Sequence, residues 1–283
     1  GSMTTLCAGC GHDSITAAII QAFWELDIAP HTVAKLSGIG CSSKTTAYFL
    51  REAHGFNSVH GRMPAIATGA GAANGTLTMI GVSGDGDSLS IGLGQLCHAI
   101  RRNVNMLYVL ENNGVYGLTK GQFSASADPG STSKKGKPNL YEPIDLVGLA
   151  LQLGASFVAR SFSGDKRQLV PLIKAGLMHK GFAFIDVISP CVAFNNHQGS
   201  TKSYDYVRGH SESVTMADYI VPHQEITSDC SPGAMEDVHM PDGSTLRLRK
   251  LDDSYDPRDR YAALAHVLER QAAGEVVTGL LYV

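Results

Sequence analysis

The chain has 283 residues, of which 43% are hydrophobic, and its formal net charge at pH 7 is −3. This composition supports a substantial buried core, and the lack of a basic stripe disfavours a nucleic-acid partner. No long uncharged apolar run occurs, so we expect no membrane-spanning segment and a cytoplasmic protein.

Hydrophobic periodicity predicts helices that alternate with short apolar strands over most of the chain. Residues 1–3 are interpreted as an expression scar, and the alternation continues from the first helix to about residue 195. Strands that alternate with helices form a doubly wound, mostly parallel α/β sheet with helices on both faces. In chain order, the predicted elements are helix 13–26, strand 32–39, helix 64–76, strand 77–82, helix 88–102, strand 106–110, helix 143–153, strand 157–160, helix 166–179 and strand 182–188.

Two parts of the chain depart from this alternation. Residues 122–141 are predicted to form a long loop near the site, as a lid or a partner contact. We therefore divide the chain into a domain over 4–195 and a C-terminal extension over 196–283, which packs on the core or on a partner. Within the extension, the sequence predicts a hairpin over 240–250 and a helix over 257–273.

Polar turns follow two successive predicted strands. Gly84-Asp85-Gly86-Asp87 closes one strand, and Asn112-Asn113 closes the next. On a parallel sheet both turns lie at the carboxyl edge, where ligands bind. Asp85, Asn113 and the Val115 carbonyl would offer three oxygens to Mg²⁺, leaving positions for diphosphate oxygens and water. Each turn alone is ordinary turn chemistry, but the pair at this spacing resembles the thiamine diphosphate signature.

Four of the six cysteines lie in turns before the first helix or after predicted strands. Cys7 and Cys10 form a Cys-x-x-Cys pair, whereas Cys41 and Cys191 are isolated and each follows an apolar strand. A disulfide framework is disfavoured without a secretion signal, and a zinc site would normally have two close pairs. Spacing alone therefore leaves a [4Fe–4S] cluster, a zinc site and unrelated buried thiols open.

The motifs occur together in an order that is typical of one enzyme family. They extend over about residues 6–195 and are Cys7-Ala8-Gly9-Cys10-Gly11-His12, Ser37-Gly38-Ile39-Gly40-Cys41-Ser42, His60-Gly61-Arg62, Gly84-Asp85-Gly86-Asp87, the run from Asn112 to Gln122, and Ile188-Ser189-Pro190-Cys191. In these motifs the chain resembles the β subunit of 2-oxoacid:ferredoxin oxidoreductases, in the 2-oxoglutarate branch. The resemblance implies a thiamine diphosphate-binding fold.

The resemblance also implies cofactors and their ligands. Thiamine diphosphate, Mg²⁺ and a [4Fe–4S] cluster are the implied cofactors, with coenzyme A as co-substrate. The implied cluster ligands are Cys7, Cys10, Cys41 and Cys191, and the implied Mg²⁺ ligands are Asp85, Asn113 and Val115. The implied cofactor-binding residues are His12, Ile39, Cys41, Ser42, His60, Gly84, Gly86, Asp87, Asn113, Val115, Gly117, Leu118 and Thr119. Candidate catalytic or substrate-facing residues are Lys44, His60, Arg62, Leu118 and Lys120.

The activity implied by the family is CoA-dependent oxidative decarboxylation of 2-oxoglutarate to succinyl-CoA and CO₂. Electrons would pass through thiamine diphosphate and one cluster to ferredoxin, and the reaction run in reverse would fix CO₂. A pyruvate or broad-range 2-oxoacid enzyme, and a non-redox thiamine diphosphate decarboxylase subunit, are the alternatives. An electron-transfer or structural subunit with a degenerate cofactor site is a third class, which the intact Asp85, Asn113 and Val115 set disfavours.

One functional group is missing from the sequence. Thiamine enzymes need a carboxylate, usually from Glu, on the aminopyrimidine ring, and it normally comes from a second domain. Glu25, Glu52 and Glu111 lie in helix or strand patterns and are unconvincing candidates. We therefore expect an α subunit to supply the Glu in an αβ pair, assembled as (αβ)₂. The charged fraction of 17%, against roughly 25% in ordinary domains, agrees with subunit contacts.

Overall fold

Alternating helices and strands organise the chain, as the hydrophobic periodicity predicts. The computed structural model describes residues 4–132, 136–215, 230–239, 245–251 and 255–283. The helices are α1 (Gly11–Glu25), α2 (Thr45–Tyr48), α3 (Met63–Ala73), α4 (Leu93–Arg101), α5 (Leu146–Leu153), α6 (Lys166–Met178), α7 (Tyr204–His210) and α8 (Arg260–Ala272). The strands are β1 (Val33–Ser37), β2 (His54–Asn57), β3 (Thr78–Gly84), β4 (Met106–Asn112), β5 (Val115–Tyr116), β6 (Gln122–Phe123), β7 (Phe157–Phe162), β8 (Phe182–Ile188), β9 (Ser211–Thr215), β10 (Met235–His239), β11 (Thr245–Lys250) and β12 (Val276–Tyr282).

One ten-stranded sheet forms the centre of the described structure. Its strand order is β10-β11-β9-β12-β7-β8-β4-β3-β1-β2. The six strands from β7 to β2 are parallel to one another. Antiparallel pairing occurs where β12 meets β7 and where β10 meets β11. The predicted mostly parallel α/β sheet is therefore confirmed.

Strand β4 shows why helices cover both faces of the sheet. All seven of its residues are buried, as expected of a central strand between two helical layers. Tyr108 and Leu110 pack into the core formed with α3, α4, α5 and α8. Leu107 and Val109 pack into the opposite core, formed with α1 and α6. Because side chains alternate along a strand, a continuous apolar run supplies both cores.

The helix predicted over 88–102 begins later than its sequence pattern suggests. Residues Gly86–Ile91 form a π-helical segment, and α4 starts only at Leu93. Gly92 separates the two, and a Cβ on Gly61 would lie 2.6 Å from the Cα of Gly92. This close approach of two backbones requires glycine at both positions, and it ties the segment after β3 to the turn before α3.

The C-terminal residues continue the sheet across the proposed boundary at residue 195. β12 pairs with β7, and β9 and β11 follow it outward. The predicted hairpin is present as the β10–β11 pair, with its first strand earlier than expected and residues 240–244 outside the described ranges. The helix predicted over 257–273 is α8. The division into two domains stays a prediction.

Candidate active site

The predicted site residues lie at the carboxyl ends of β1, β3, β4 and β8. β3 and β4 are neighbours, with Gly84 opposite Glu111, so the turns that follow them are adjacent. β4 also pairs with β8, with Asn112 opposite Ile188, which places the turn containing Cys191 beside the same edge. The parallel topology thus gathers residues that are far apart in sequence.

Asp85 is a buried carboxylate of this edge, with only 1% of its surface exposed. It accepts hydrogen bonds from the amides of Asn113 (3.3 Å) and Gly114 (3.0 Å). The hydroxyls of Ser124 and Ser126 also donate to it, the latter at 2.6 Å. Burial raises the pKa of Asp85, and these donors oppose the rise. No cation is among these donors, so a bound Mg²⁺ would stabilise the charged form.

Asn113 and Val115 complete an oxygen donor set of the kind that Mg²⁺ prefers. The side-chain oxygen of Asn113 accepts from the Val115 amide at 3.0 Å, which closes a tight turn beside Asp85. A carboxylate, a side-chain carbonyl and a main-chain carbonyl are therefore available from one short stretch. These residues fit Mg²⁺ with diphosphate oxygens as further ligands.

Glycines bring backbone segments together around this turn. A Cβ on Gly38 would lie 1.9 Å from a carboxylate oxygen of Asp87, and one on Gly86 would lie 2.5 Å from the Tyr116 ring. Asp87 accepts from the Ser83 hydroxyl and the Gly61 amide, each at 2.9 Å. Asp87 thus joins the ends of β1 and β3 to the turn before α3.

The four predicted cluster cysteines also converge. A Cβ on Gly117 would lie 3.5 Å from the Cys41 sulfur and 3.6 Å from the Cys191 sulfur. The thiols of Cys7 and Cys10 interact electrostatically with both of these sulfurs. Burial raises the pKa of Cys10 to about 12, and the neighbouring thiols add to the rise. Bound metal would favour the thiolates that burial disfavours.

The spacing of these thiols bears on the choice of metal. Among the described residues, no three His, Cys, Asp or Glu side chains are close enough to hold a single metal ion. A zinc site would bring its ligands onto one ion. In an iron–sulfur cluster the iron atoms separate the ligand sulfurs, so converging thiols are compatible with a cluster, and the choice between a cluster and zinc stays a prediction.

A buried polar group lies next to the thiols. His12 and Glu111 are 1% and 0% exposed, with 3.6 Å between His12 Nδ1 and Glu111 Oε2. His12 Nδ1 is 2.6 Å from the Ser189 hydroxyl, and Thr45 donates to Glu111 at 3.0 Å. Burial lowers the pKa of His12 to about 4 and raises that of Glu111 well above its usual range. Burial thus favours the neutral form of both groups.

The residues implied to face substrate lie at the outer side of the site. Lys44 is half-buried in the turn after Cys41, and its charge acts on the Cys41 thiol. His60, Arg62 and Lys120 are exposed, so their polar groups are available to a substrate or a partner. Ile39 is half-buried, Ser42 is buried, and Leu118 and Thr119 are exposed.

Several residues of the site were missed by sequence reasoning. Ser124 and Ser126 lie in the segment predicted to be a lid, yet both are buried and bonded to Asp85. Their hydroxyls thus satisfy a buried carboxylate, and the role of the loop as a lid or a partner contact stays a prediction. Asn195 donates to the Asn113 carbonyl at 2.8 Å. Isolated serines and asparagines carry no motif that would have identified them.

A cavity of about 310 Å³ opens beside the turn formed by Gly114 and Val115. It is lined by Val115, Phe123, Thr132, Phe194, Asn195 and His197, among others.

No helix in the ranges that the structure describes is both long and apolar enough to span a bilayer.

Comparison with known proteins gives consistent matches. The C-terminal TPP-binding domain family of thiamine pyrophosphate enzymes matches residues 38–187. A 2-oxoacid:ferredoxin oxidoreductase subunit beta from Saccharolobus solfataricus is 43% identical over 199 residues, which are 70% of this chain and 65% of that relative. The 2-oxoglutarate synthase subunit KorB from Methanothermobacter marburgensis is 35% identical over 70% of this chain and 69% of its own length.

A solved structure extends the likeness over nearly the whole chain. The 2-oxoglutarate:ferredoxin oxidoreductase from Magnetococcus marinus, with 2-oxoglutarate, coenzyme A and succinyl-CoA bound, has a TM-score of 0.80 and 33% sequence identity. The match covers 99% of this chain and 81% of the other. These matches confirm the resemblance that the motifs indicate.

Proposed function

This chain belongs to the β-subunit family of the 2-oxoacid:ferredoxin oxidoreductases, and from that premise we propose its activity. It takes part in CoA-dependent oxidative decarboxylation of a 2-oxoacid, with 2-oxoglutarate as the substrate and ferredoxin as the electron acceptor. The branch assignment is supported by the 2-oxoglutarate synthase relative and by the ligands named for the similar solved structure.

One observation carries the proposal. The Asn113 amide donates to the carboxylate of Asp85, and four residues later a Cβ on Gly117 would lie 3.5 Å from the Cys41 sulfur and 3.6 Å from the Cys191 sulfur. A diphosphate–metal site at one end of this stretch and a thiol set at the other would bring a carbon-centred reaction close to an electron acceptor. A decarboxylase without redox chemistry would not need the second half of this arrangement.

The chain's own residues have distinct roles in this proposal. Asp85, Asn113 and the Val115 carbonyl hold Mg²⁺, and the glycines at 38 and 86 let the backbone pass close to Asp87 and Tyr116. Cys7, Cys10, Cys41 and Cys191 hold a [4Fe–4S] cluster. When bound, thiamine diphosphate supplies the electron sink for loss of CO₂, and the cluster supplies one-electron transfer.

Lysines account for recognition of an anionic substrate. Lys44 and Lys120 act as point charges for the substrate carboxylates, and a dicarboxylate such as 2-oxoglutarate would use a cation at each end. His60 and Arg62, both exposed, are further groups for anions on the same side. An α subunit completes the site with the Glu that ring activation requires, in an (αβ)₂ assembly.

The proposal is tested by anaerobic co-expression of the chain with the α subunit. The purified complex should be brown. It should contain thiamine diphosphate and four iron atoms for each copy of this chain, bound by Cys7, Cys10, Cys41 and Cys191. It should reduce ferredoxin, or a low-potential dye, only with CoA and a 2-oxoacid, and fastest with 2-oxoglutarate. If the complex is as fast with pyruvate as with 2-oxoglutarate, the assignment of 2-oxoglutarate as the substrate is wrong. If the complex is colourless but still decarboxylates a 2-oxoacid, the redox assignment is wrong.

A further inference from the structure

Asn195 joins the two halves of the proposed site. We call residues 113–117 the metal loop and residues 191–195 the cysteine turn. Asn195 is 4% exposed, and its side-chain amide donates to the main-chain carbonyl of Asn113 at 2.8 Å. A residue four positions after a cluster cysteine thus bonds directly to a proposed magnesium ligand.

The cysteine turn holds Asn195 through its backbone. The Asn195 amide donates to the Cys191 carbonyl at 2.8 Å, and the Phe194 amide donates to the same carbonyl at 3.2 Å. The two ends of the turn form an isolated β-bridge. A shift of the Cys191 backbone would therefore shift the backbone of Asn195, and with it the Asn195 side chain.

On the other side, the metal loop is shaped to receive this side chain. Gly114 has φ +75°, and a Cβ there would lie 2.7 Å from the Asn195 side-chain nitrogen. Asn113 is held from both directions, since its carbonyl accepts from Asn195 while its side chain accepts from the Val115 amide. The orientation of the Asn113 peptide, and hence of its side-chain oxygen, depends on the contact with Asn195.

Two further contacts connect the same segments. A Cβ on Gly117 would lie 3.5 Å from the Cys41 sulfur and 3.6 Å from the Cys191 sulfur, and just beyond the metal loop a Cβ on Gly121 would lie 2.8 Å from the Phe194 ring. These contacts are apolar or steric and fix the separation of the two segments. The Asn195 bond is the directional contact among them, and it alone acts on a proposed metal ligand.

We propose that Asn195 is a positioning residue that couples the thiol set to the metal loop, so that cluster occupancy strengthens binding of Mg²⁺ and thiamine diphosphate. This inference rests on the proposed function. Ligation of Cys191 fixes the cysteine turn, and Asn195 then holds the Asn113 carbonyl in the orientation that presents its side chain to the metal. Because coupling between two sites is reciprocal, bound Mg²⁺ and thiamine diphosphate also stabilise the cluster.

The test is a four-state cycle on the co-expressed complex. The Kd for thiamine diphosphate in the presence of Mg²⁺ is measured by calorimetry for wild type and Asn195→Ala, each with the cluster and after its anaerobic removal by chelation. Circular dichroism checks the fold of every form. Wild type should bind about tenfold more tightly with the cluster, within the range usual for coupled sites. In the variant the difference should fall to less than about twofold.

Two more variants separate coupling from a local effect. Asn195→Asp has nearly the same size but lacks the donating amide, so it should lose the coupling as Asn195→Ala does, and it serves if the alanine variant does not fold. Asn196→Ala is the matched control, because the Asn196 side chain accepts from the Tyr204 amide at 3.0 Å and lies outside the metal loop. It should keep the full tenfold difference.

Clear results would overturn the inference. These are a full cluster-dependent difference in both Asn195 variants, no difference in wild type, or equal weakening with and without the cluster. Loss of iron from the Asn195 variants in the absence of Mg²⁺ and thiamine diphosphate would also contradict it, since the backbone bonds of the cysteine turn do not need that side chain. Failure of the cluster-loaded wild type to bind thiamine diphosphate at all would instead refute the proposed function.

Discussion

Asp85 shows how a single residue can combine a structural cost with a functional use. A carboxylate with 1% exposure pays a desolvation penalty, which two backbone amides and two serine hydroxyls reduce by hydrogen bonding. A bound divalent cation would remove the remainder. The role of Asp85 as a metal ligand stays a prediction.

Replacement of Asp85 tests this reasoning. We expect Asp85→Ala to weaken binding of Mg²⁺ with thiamine diphosphate by more than about 100-fold, because even residues that only support a metal ligand contribute 10–100-fold. Calorimetry on the complex measures the loss, and the iron content should stay at the wild-type value. Asp205→Ala, at an exposed position of α7, is the control. Unchanged thiamine diphosphate content in Asp85→Ala would rule out the assignment.

The cysteines give a second prediction at this scale. Cys191→Ala should remove or degrade the cluster and stop ferredoxin reduction, because a [4Fe–4S] cluster held by three thiolates is exposed to loss of iron. Iron and sulfide analysis with visible absorbance measures the effect. Cys97→Ala changes a thiol on α4 outside the set and should leave both unchanged. Full ferredoxin reduction by Cys191→Ala would be the contrary result.

At the scale of elements, buried polar groups connect the strand ends behind the site. Asn112 at the end of β4 accepts from Ser126 and donates to Asp186 of β8 at 3.1 Å. Asp186 in turn accepts from Arg160 of β7 at 2.9 Å, and Arg160 also pairs with Asp145. Asp145 caps α5 by accepting from two amides in its first turn. Side-chain hydrogen bonds and ion pairs thus connect neighbouring strands near their ends, in addition to the backbone hydrogen bonds of the sheet.

Arg160 is the cation on which this group depends. We expect Arg160→Met to lower the free energy of unfolding by about 3–5 kcal/mol, because it leaves the fully buried Asp186 carboxylate without its partner. Urea unfolding of the chain measures the change. Arg258→Met breaks an exposed pair with Asp256 and should have little effect. Equal stability of the two variants would show that the buried pair is not needed.

At the scale of the whole molecule, the C-terminal residues are integrated by both strands and charges. Glu212 on β9 accepts from Arg249 on β11 at 2.7 Å and lies 3.4 Å from His266 on α8. Burial alone would raise the pKa of Glu212, but the hydrogen bond from Arg249 and the positive charges of Arg249 and His266 lower it to about 2. One carboxylate therefore joins three elements of the region after residue 195.

This depressed pKa predicts a pH dependence of stability. Between its ordinary pKa of 4.5 and about 2, Glu212 stays ionised in the folded chain but is protonated in the unfolded one. The unfolded state binds more protons in this window, so the stabilisation is present above it and is lost as the pH falls through it. Glu212→Gln should therefore be less stable than wild type near neutral pH.

The same variant should approach wild type as the pH is lowered. Comparing urea midpoints of the two proteins near neutral pH and at about pH 3 cancels the contribution of all other carboxylates. A difference in urea midpoint that becomes smaller at about pH 3 supports a stabilising role for the charge of Glu212. A gap that stays constant would show that Glu212 contributes by packing rather than by its charge.

Much of the central sheet could be predicted because its signals are local. Apolar runs such as 106–110 and 182–188 are long and regular, and the structure confirms both as strands. Asp85, Asn113, Cys41 and Cys191 were identifiable as candidates because each lies in a short motif at a strand end, and Cys7 and Cys10 because they form a Cys-x-x-Cys pair before α1. By contrast, the start of α4 was misplaced, because the π-helical segment depends on the distant contact between Gly61 and Gly92.

The residue types at each strand end and the order of the elements are local properties of the amino-acid sequence. They depend on neighbours within a few positions, so periodicity and turn chemistry reveal them. The contacts of Asn195 with Asn113, 82 positions away, and of Ser126 with Asp85 are instead set by the fold. Such contacts follow from strand order and from the path of the loops across the sheet edge, which no local pattern specifies.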